Sequence, residues 1–200
     1  MNKIILAIAL GFLTAVSVVC SAARTEDTIA NSVIRLHIRA NSNDIKDQEL
    51  KLKVRDRILK EAGQRFNNSR DIATAREYTK ENLNTITEIA KDEIQKNGYN
   101  YNVKASFGKA DFPTRIYGDM TLPAGTYEAL VVEIGSGKGE NWWCVMFPPL
   151  CFVEEAYAGI DEESEEILIQ NLGEDTYSSL KGGKVQIKFK VYEVLKNYGF

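Results

Sequence analysis

The chain has 200 residues and carries 25 Lys and Arg against 28 Asp and Glu, for a net charge of −3. Its length suits one ordinary domain with a real core. The mild acidic balance leaves no basic stripe for nucleic acid and no polybasic run for anionic lipid.

Residues 1–23 read as a signal peptide. Asn2 and Lys3 form a short positive start, Ile4 to Val19 is apolar apart from Thr14 and Ser17, and Ser21-Ala22-Ala23 is a small-residue exit before Arg24. An uncleaved anchor is the alternative, with an apolar run at the short end of the about 20 residues that a spanning helix needs. A lipidated Cys20 fits less well, because Ser17-Val18-Val19 lacks the small residue wanted just ahead of it. Cleavage would leave 177 residues with a net charge of −4. Residues 24–32 are expected to be a flexible polar lead-in, and residues 33–200 a single domain.

Ile34, Leu36, Ile38 and Ala40 alternate with Arg35, His37 and Arg39, the pattern of a strand with one buried face. Asn41-Ser42-Asn43-Asp44 is a turn and helix-capping cluster. A helix is predicted over 45–62, stopped by Gly63. Its apolar arc of Ile45, Leu50, Leu52, Val54, Ile58, Leu59 and Ala62 is interrupted by Asp47, Gln48, Lys51 and Arg55. Those four either snorkel at the core edge or form a semi-buried polar network that could meet Arg35, His37 or Arg39. A second helix is predicted over 71–96, with a core stripe of Ile72, Ala75, Thr79, Leu83, Ile86, Ala90 and Ile94. Strands are expected over 99–107, 117–122, 126–134, 142–147 and 185–191, with a short helix opening at the acidic stretch 161–166. The pattern is an α+β domain: a largely antiparallel sheet, with two helices inserted after the first strand and packed on one face.

Candidate chemistry is sparse. Gly135-Ser136-Gly137-Lys138-Gly139 fails the phosphate-loop pattern, because Val132 stands where a Gly is needed and Gly139 where a Ser or Thr is. The lone His37 has no local co-ligands for a metal, and no cofactor motif is present. Cys144 and Cys151 are an even pair in an exported chain and suit a small disulfide loop around Pro148-Pro149; two buried thiols are the alternative. A Cys144–His37 thiol–imidazole pair is the one enzyme hypothesis with content. Trp142 and Trp143 are adjacent on a strand and so point to opposite faces.

Three stretches are distinctive together: Val33-Ile-Arg-Leu-His-Ile-Arg-Ala-Asn-Ser-Asn43 continuing through Asp47-Gln-Glu-Leu-Lys-Leu-Lys-Val-Arg-Asp56, Phe107-Gly-Lys-Ala-Asp-Phe-Pro113 with Leu122-Pro-Ala-Gly-Thr-Tyr-Glu-Ala-Leu130, and Gly139-Glu-Asn-Trp-Trp-Cys-Val-Met-Phe-Pro-Pro-Leu-Cys-Phe152. Over roughly residues 33–153 the chain resembles the stage II sporulation protein R family of endospore-forming bacteria. Where that family commonly has Asp after Ala-Asn-Ser, this chain has Asn43 followed by Asp44. The resemblance implies a protein made in the forespore and exported into the space between forespore and mother cell. There it would trigger a membrane-embedded aspartic protease of the mother cell that removes the pro-sequence of sigma-E. The protein would then be a ligand, with no catalytic residues, no cofactor, no nucleic acid and no small-molecule substrate. The candidate contact surface is His37, Arg39, Asn41 and Asp44 with Asp47, Gln48, Lys51 and Arg55, and with Trp142 and Trp143 as an apolar anchor. The alternatives are a secreted thiol hydrolase acting on cell wall or peptide, and a passive structural protein of the septal space.

Overall fold

The computed structural model describes residues 5, 10–17, 27–67, 69, 71–152 and 162–181. The leader's exit at Ser21-Ala22-Ala23 and the strand expected over 185–191 lie outside the described residues. Residues 10–17 are helical, and among the described residues no helix is long and apolar enough to cross a membrane. Residues 27–32 of the lead-in are helical too, and Ile29 is buried there.

The strands are β1 (Ile34–Arg39), β2 (Val103–Phe112), β3 (Arg115–Tyr117), β4 (Met120–Leu122), β5 (Gly125–Ile134) and β6 (Asn141–Phe147). The helices are α1 (Ile45–Asn67), α2 (Ile72–Glu81), α3 (Leu83–Lys96), α4 (Glu162–Leu172) and α5 (Glu174–Leu180). The fold is α+β with a mostly antiparallel sheet of order β2-β5-β1-β6. Only β1 and β5 run parallel; β1–β6 and β2–β5 are antiparallel. A plain meander would have paired β5 with β6. Here β1 sits between them, a central position in which both of its faces are covered.

Three boundaries differ from the sequence reading. Helix α1 runs through Gly63 to Asn67, since a glycine inside a helix costs only about 1 kcal/mol and does not by itself stop one. The predicted second helix is broken at Asn82, whose side-chain amide and backbone N–H both donate to the Tyr78 carbonyl, so the chain closes one helix and opens the next. The core stripe carries across the break: Ala75, Ile86, Ala90 and Ile94 share one buried cluster with Leu50, Val54 and Ile58 of α1. The segment 117–122 is half of a two-stranded hairpin, β3–β4, turned at Gly118 with φ of 58°.

That helical cluster rests on Ile34, Leu36 and Ile38 of β1, with Leu130, Val132 and Cys144 beside them. Each such side chain contributes about 2 kcal/mol by leaving water. The predicted solvent face of β1 is not exposed. It lies under a second cluster, in which Tyr127, Ala129 and Val145 of the sheet meet Leu168, Leu172, Tyr177 and Leu180 of α4 and α5. Arg35 is 0 % exposed and His37 is 1 % exposed. Single alternation could not reveal this, because the covering residues, from Phe112 to Leu180, lie far downstream.

Arg35 is buried without an acidic partner among the described residues. Its Nε donates to the Cys144 carbonyl at 3.1 Å and its Nη2 to the Tyr117 hydroxyl at 3.0 Å, while Nη1 has no partner. Its guanidinium carbon lies 4.4 Å from the Phe112 ring centroid and 5.0 Å from that of Tyr127. Burial lowers its pKa, and the facing tyrosines offset this only in part. Aromatic faces return part of the desolvation cost of a cation, but not all of it. Arg35→Met, which keeps the volume and removes the charge, is therefore expected to leave stability unchanged or raise it by about 1 kcal/mol. Arg35→Ala, which opens a cavity, is expected to lower it by about 3 kcal/mol. Urea unfolding of the two variants measures both.

Candidate interaction surface

The sequence-predicted residues fall into three groups. The first lies at the β1–α1 junction. Residues 41–44 turn the chain from the end of β1 into the helix, and the Asp44 carbonyl accepts from the N–H groups of Asp47 and Gln48. Asp47 points back into this turn and is 5 % exposed. Its Oδ2 accepts from Asn41 Nδ2 at 2.8 Å and from Ser42 Oγ at 2.6 Å. The Tyr101 hydroxyl also donates to it. Burial raises the Asp47 pKa, but these donors outweigh it and hold the carboxyl below the ordinary aspartate value. Gln48 Nε2 donates to the Ser42 carbonyl at 2.8 Å.

Lys51, 6 % exposed, completes the knot. Its Nζ donates to Gln48 Oε1 at 2.6 Å and to the Glu140 carbonyl at 3.1 Å. Three of the four polar residues in the apolar arc of α1, Asp47, Gln48 and Lys51, thus form a satisfied network that fastens the helix to the β5–β6 loop. That loop is also held by Asn41 Oδ1, which accepts from the Ser136 N–H at 2.9 Å, and by Asn43 Oδ1, which accepts from the Glu140 N–H at 2.7 Å. Gly139 donates its N–H to the Ala40 carbonyl at 2.9 Å. A Cβ on Gly139 would strike the Ser42 backbone, so the glycine is required by close approach rather than by phosphate.

The second group is on the opposite side of the sheet. His37 stacks on Trp143 with ring centroids 3.8 Å apart. Its Nε2 accepts from Arg39 Nε at 3.4 Å, and its buried Nδ1 has no partner. Burial lowers the His37 pKa, which favours the neutral imidazole. Arg39 reaches on to Glu133 at 2.8 Å in a pair that is more than a third exposed, and such pairs are worth little. The third group is Arg55, which stands 5.0 Å over the Trp142 ring on the helix side. The two tryptophans therefore serve opposite faces, each partly exposed. The polar network does not reach Arg35, His37 or Arg39, since those three face away from α1.

Cys144 lies opposite Leu36 in the register and shares its helix-facing side, whereas His37 lies opposite Trp143. Cys144 is also disulfide-bonded to Cys151, with Cα atoms 5.7 Å apart. Thiol and imidazole are thus on different faces, and the sulfur is committed. Among the described residues no group of His, Cys, Asp and Glu is placed to hold a metal.

Sequence reading missed what surrounds Asp44. Ile45, placed by its spacing in the apolar arc, is 78 % exposed at the first turn of α1. Tyr99 and Tyr101, read as one face of a strand, precede β2 and stack with centroids 5.4 Å apart. With Asp44, Lys46 and Asp47 these residues line a surface cleft of about 550 Å³. The only available sequence signal was the pair of tyrosines two residues apart just after the Asn97-Gly98 helix stop.

The family described as stage II sporulation protein R matches residues 30–157, which include every candidate residue above. The chain is 41 % identical to stage II sporulation protein R of Bacillus subtilis (strain 168) over 138 residues, covering 69 % of this chain and 62 % of that protein. It therefore spans less than two thirds of that relative's length. No solved structure matches the chain.

Asp47→Asn is expected to destabilise the fold by about 2 kcal/mol, because it removes a charged acceptor from several donors. The effect depends on pH in a fixed sense. The folded pKa lies below that of an unfolded aspartate, about 3.9. The stabilisation is thus complete above about pH 4 and is lost as pH falls through the lower folded value. Denaturation of both proteins from pH 7 to pH 2.5 should show the two curves converging at the acid end.

Proposed function

The chain belongs to the stage II sporulation protein R family and has a sporulation role, and on that premise we propose that it is an exported signal that activates a membrane-embedded aspartic protease to process pro-sigma-E. The observation that carries this reading is the extent of the family match: residues 30–157 take in the entire four-stranded sheet and the helices packed on its first face. Export into the space between forespore and mother cell rests on residues 1–23, whose charge, apolar run and small-residue exit have the form of a signal peptide. A cleaved leader would release a diffusible ligand; a retained one would tether it to the sending membrane.

A ligand of this kind acts by binding the active receptor better than the inactive one. Moving a receptor from about 1:99 to 99:1 takes roughly a 10⁴-fold preference, which calls for a rigid surface presented in one geometry. The knotted junction around Asp47 and Lys51 supports that role, since it fixes the first turn of α1 against the β5–β6 loop. The thiol-hydrolase alternative has no such support, because Cys144 and His37 occupy opposite faces.

Co-production of the full chain with the protease and pro-sigma-E in a non-sporulating host is expected to yield processed sigma-E, read by immunoblot. Absence of processing with both partners correctly localised would sink the proposal. In the same assay, the double variant Cys144→Ser/Cys151→Ser is expected to keep processing at low temperature while losing about 2–4 kcal/mol of stability. Complete loss of processing by a folded double variant would instead favour the hydrolase.

A further inference from the structure

The cleft beside the α1 N-terminus combines three features that core packing does not require. Ile45 is a large aliphatic side chain with 78 % of its surface in water. Tyr99 and Tyr101 stack next to it and are only partly covered. Two carboxylates flank them: Asp44 at the rim and Asp47 at the base. Isolated exposed aliphatics are ordinary on protein surfaces. An aliphatic, an aromatic pair and charge gathered around one cleft are the composition of a binding anchor.

The charge decides what fits. Asp47 is held by the neutral donors Asn41, Ser42 and Tyr101, so nothing there cancels its charge. Among the described residues Asp44 has no ion-pair partner either. The opposing terms are Lys46 at the rim and the helix N-terminus, which is equivalent to about half a positive charge. The cleft thus stays near neutral to negative on its charge count, with its negative charge placed against aromatic faces. Carboxylates beside stacked tyrosines favour a cationic side chain, which gains from both the ion pair and the ring faces. An anionic partner would meet the Asp44 carboxylate at the rim, with the buried charge of Asp47 behind it.

We infer that this cleft is the docking site for a protein segment of the receptor that presents a Lys or Arg next to an aliphatic side chain, the cation meeting Asp44 and the tyrosine faces and the aliphatic packing on Ile45. The inference rests on the contact-activation reading given above and assigns that contact to one surface. It also divides the sequence-predicted residues of the junction: Asn41, Asp47, Gln48 and Lys51 shape the cleft from behind, and Asp44 is the one presented at its rim.

The test uses the full chain with the detergent-solubilised protease, measuring affinity directly and pro-sigma-E processing in parallel. Ile45→Glu changes an exposed side chain and should leave the melting temperature essentially unaltered, whereas Asp44→Lys sets a cation against the helix N-terminus and should lower it by a few degrees while the chain stays folded. Each is expected to weaken binding and slow processing by about tenfold or more. Lys46→Glu removes the opposing cation and is expected to strengthen binding severalfold, whereas Glu88→Lys, an exposed change on α3, should bind as the parent does. If the parent activates the protease while Asp44→Lys and Ile45→Glu bind and activate equally well, the docking site is wrong and the activator role stands. If the parent neither binds nor activates, both fall. If Ile45→Glu only converts a self-associated chain to a monomer and leaves activation intact, the cleft joins copies of this chain and the inference is overturned.

Discussion

The structure depends on the burial of β1 on both faces. A strand between β5 and β6 has no edge, and its first five residues are buried, so they must be satisfied largely by groups distant in sequence. Ile34, Leu36 and Ile38 do this by ordinary apolar packing under α1 and α2. Arg35 and His37 cannot. They are accommodated by aromatic rings: Phe112 and Tyr127 against the guanidinium, Trp143 against the imidazole. The second face is therefore an aromatic layer built around two polar side chains, which explains why strands β2, β5 and β6 each bring a large ring to that side.

Inserting β1 between β5 and β6 has a geometric consequence. The β5–β6 connection must pass over the end of β1, where the chain turns into α1. Two loops then compete for one space. The conflict is resolved by Gly139, which lets the backbones approach, and by Asn41 and Asn43, whose side chains bind the crossing loop's N–H groups. Asp47 and Lys51 continue the same network along the helix. The polar residues within the apolar arc of α1 are thus a product of topology. They hold the crossing point, and by holding it they set the exposed first turn of α1 beside Tyr99 and Tyr101.

For a protein whose proposed work is contact, this arrangement separates two duties. Residues facing inward at the junction supply rigidity, and a few facing outward remain available to a partner. The disulfide between Cys144 and Cys151 belongs to the rigid side, as it joins β6 to the turn that follows it under the helical layer. The modest net charge of −3 leaves recognition to local placement of charge rather than to a field over the whole surface.

Much was decided by the sequence alone. Period-two alternation marked β1, and a three-and-four stripe marked the buried sides of α2 and α3, because those signals arise within one element. The motif strings located the family, since residues repeat in order whether or not their contacts are known. Local pattern also placed Trp142 and Trp143 on opposite faces. The tertiary structure alone decided what meets what. Alternation cannot tell a half-buried strand from one covered twice, so Arg35 and His37 read as exposed. Helical spacing assigned Ile45 to the core, but the end of a helix need not overlie the sheet. Asp47 and Lys51 stood out as misplaced polar residues, yet their partners lie at Ser42 and Glu140, and that pairing exists only because β1 enters between two strands formed ninety residues later.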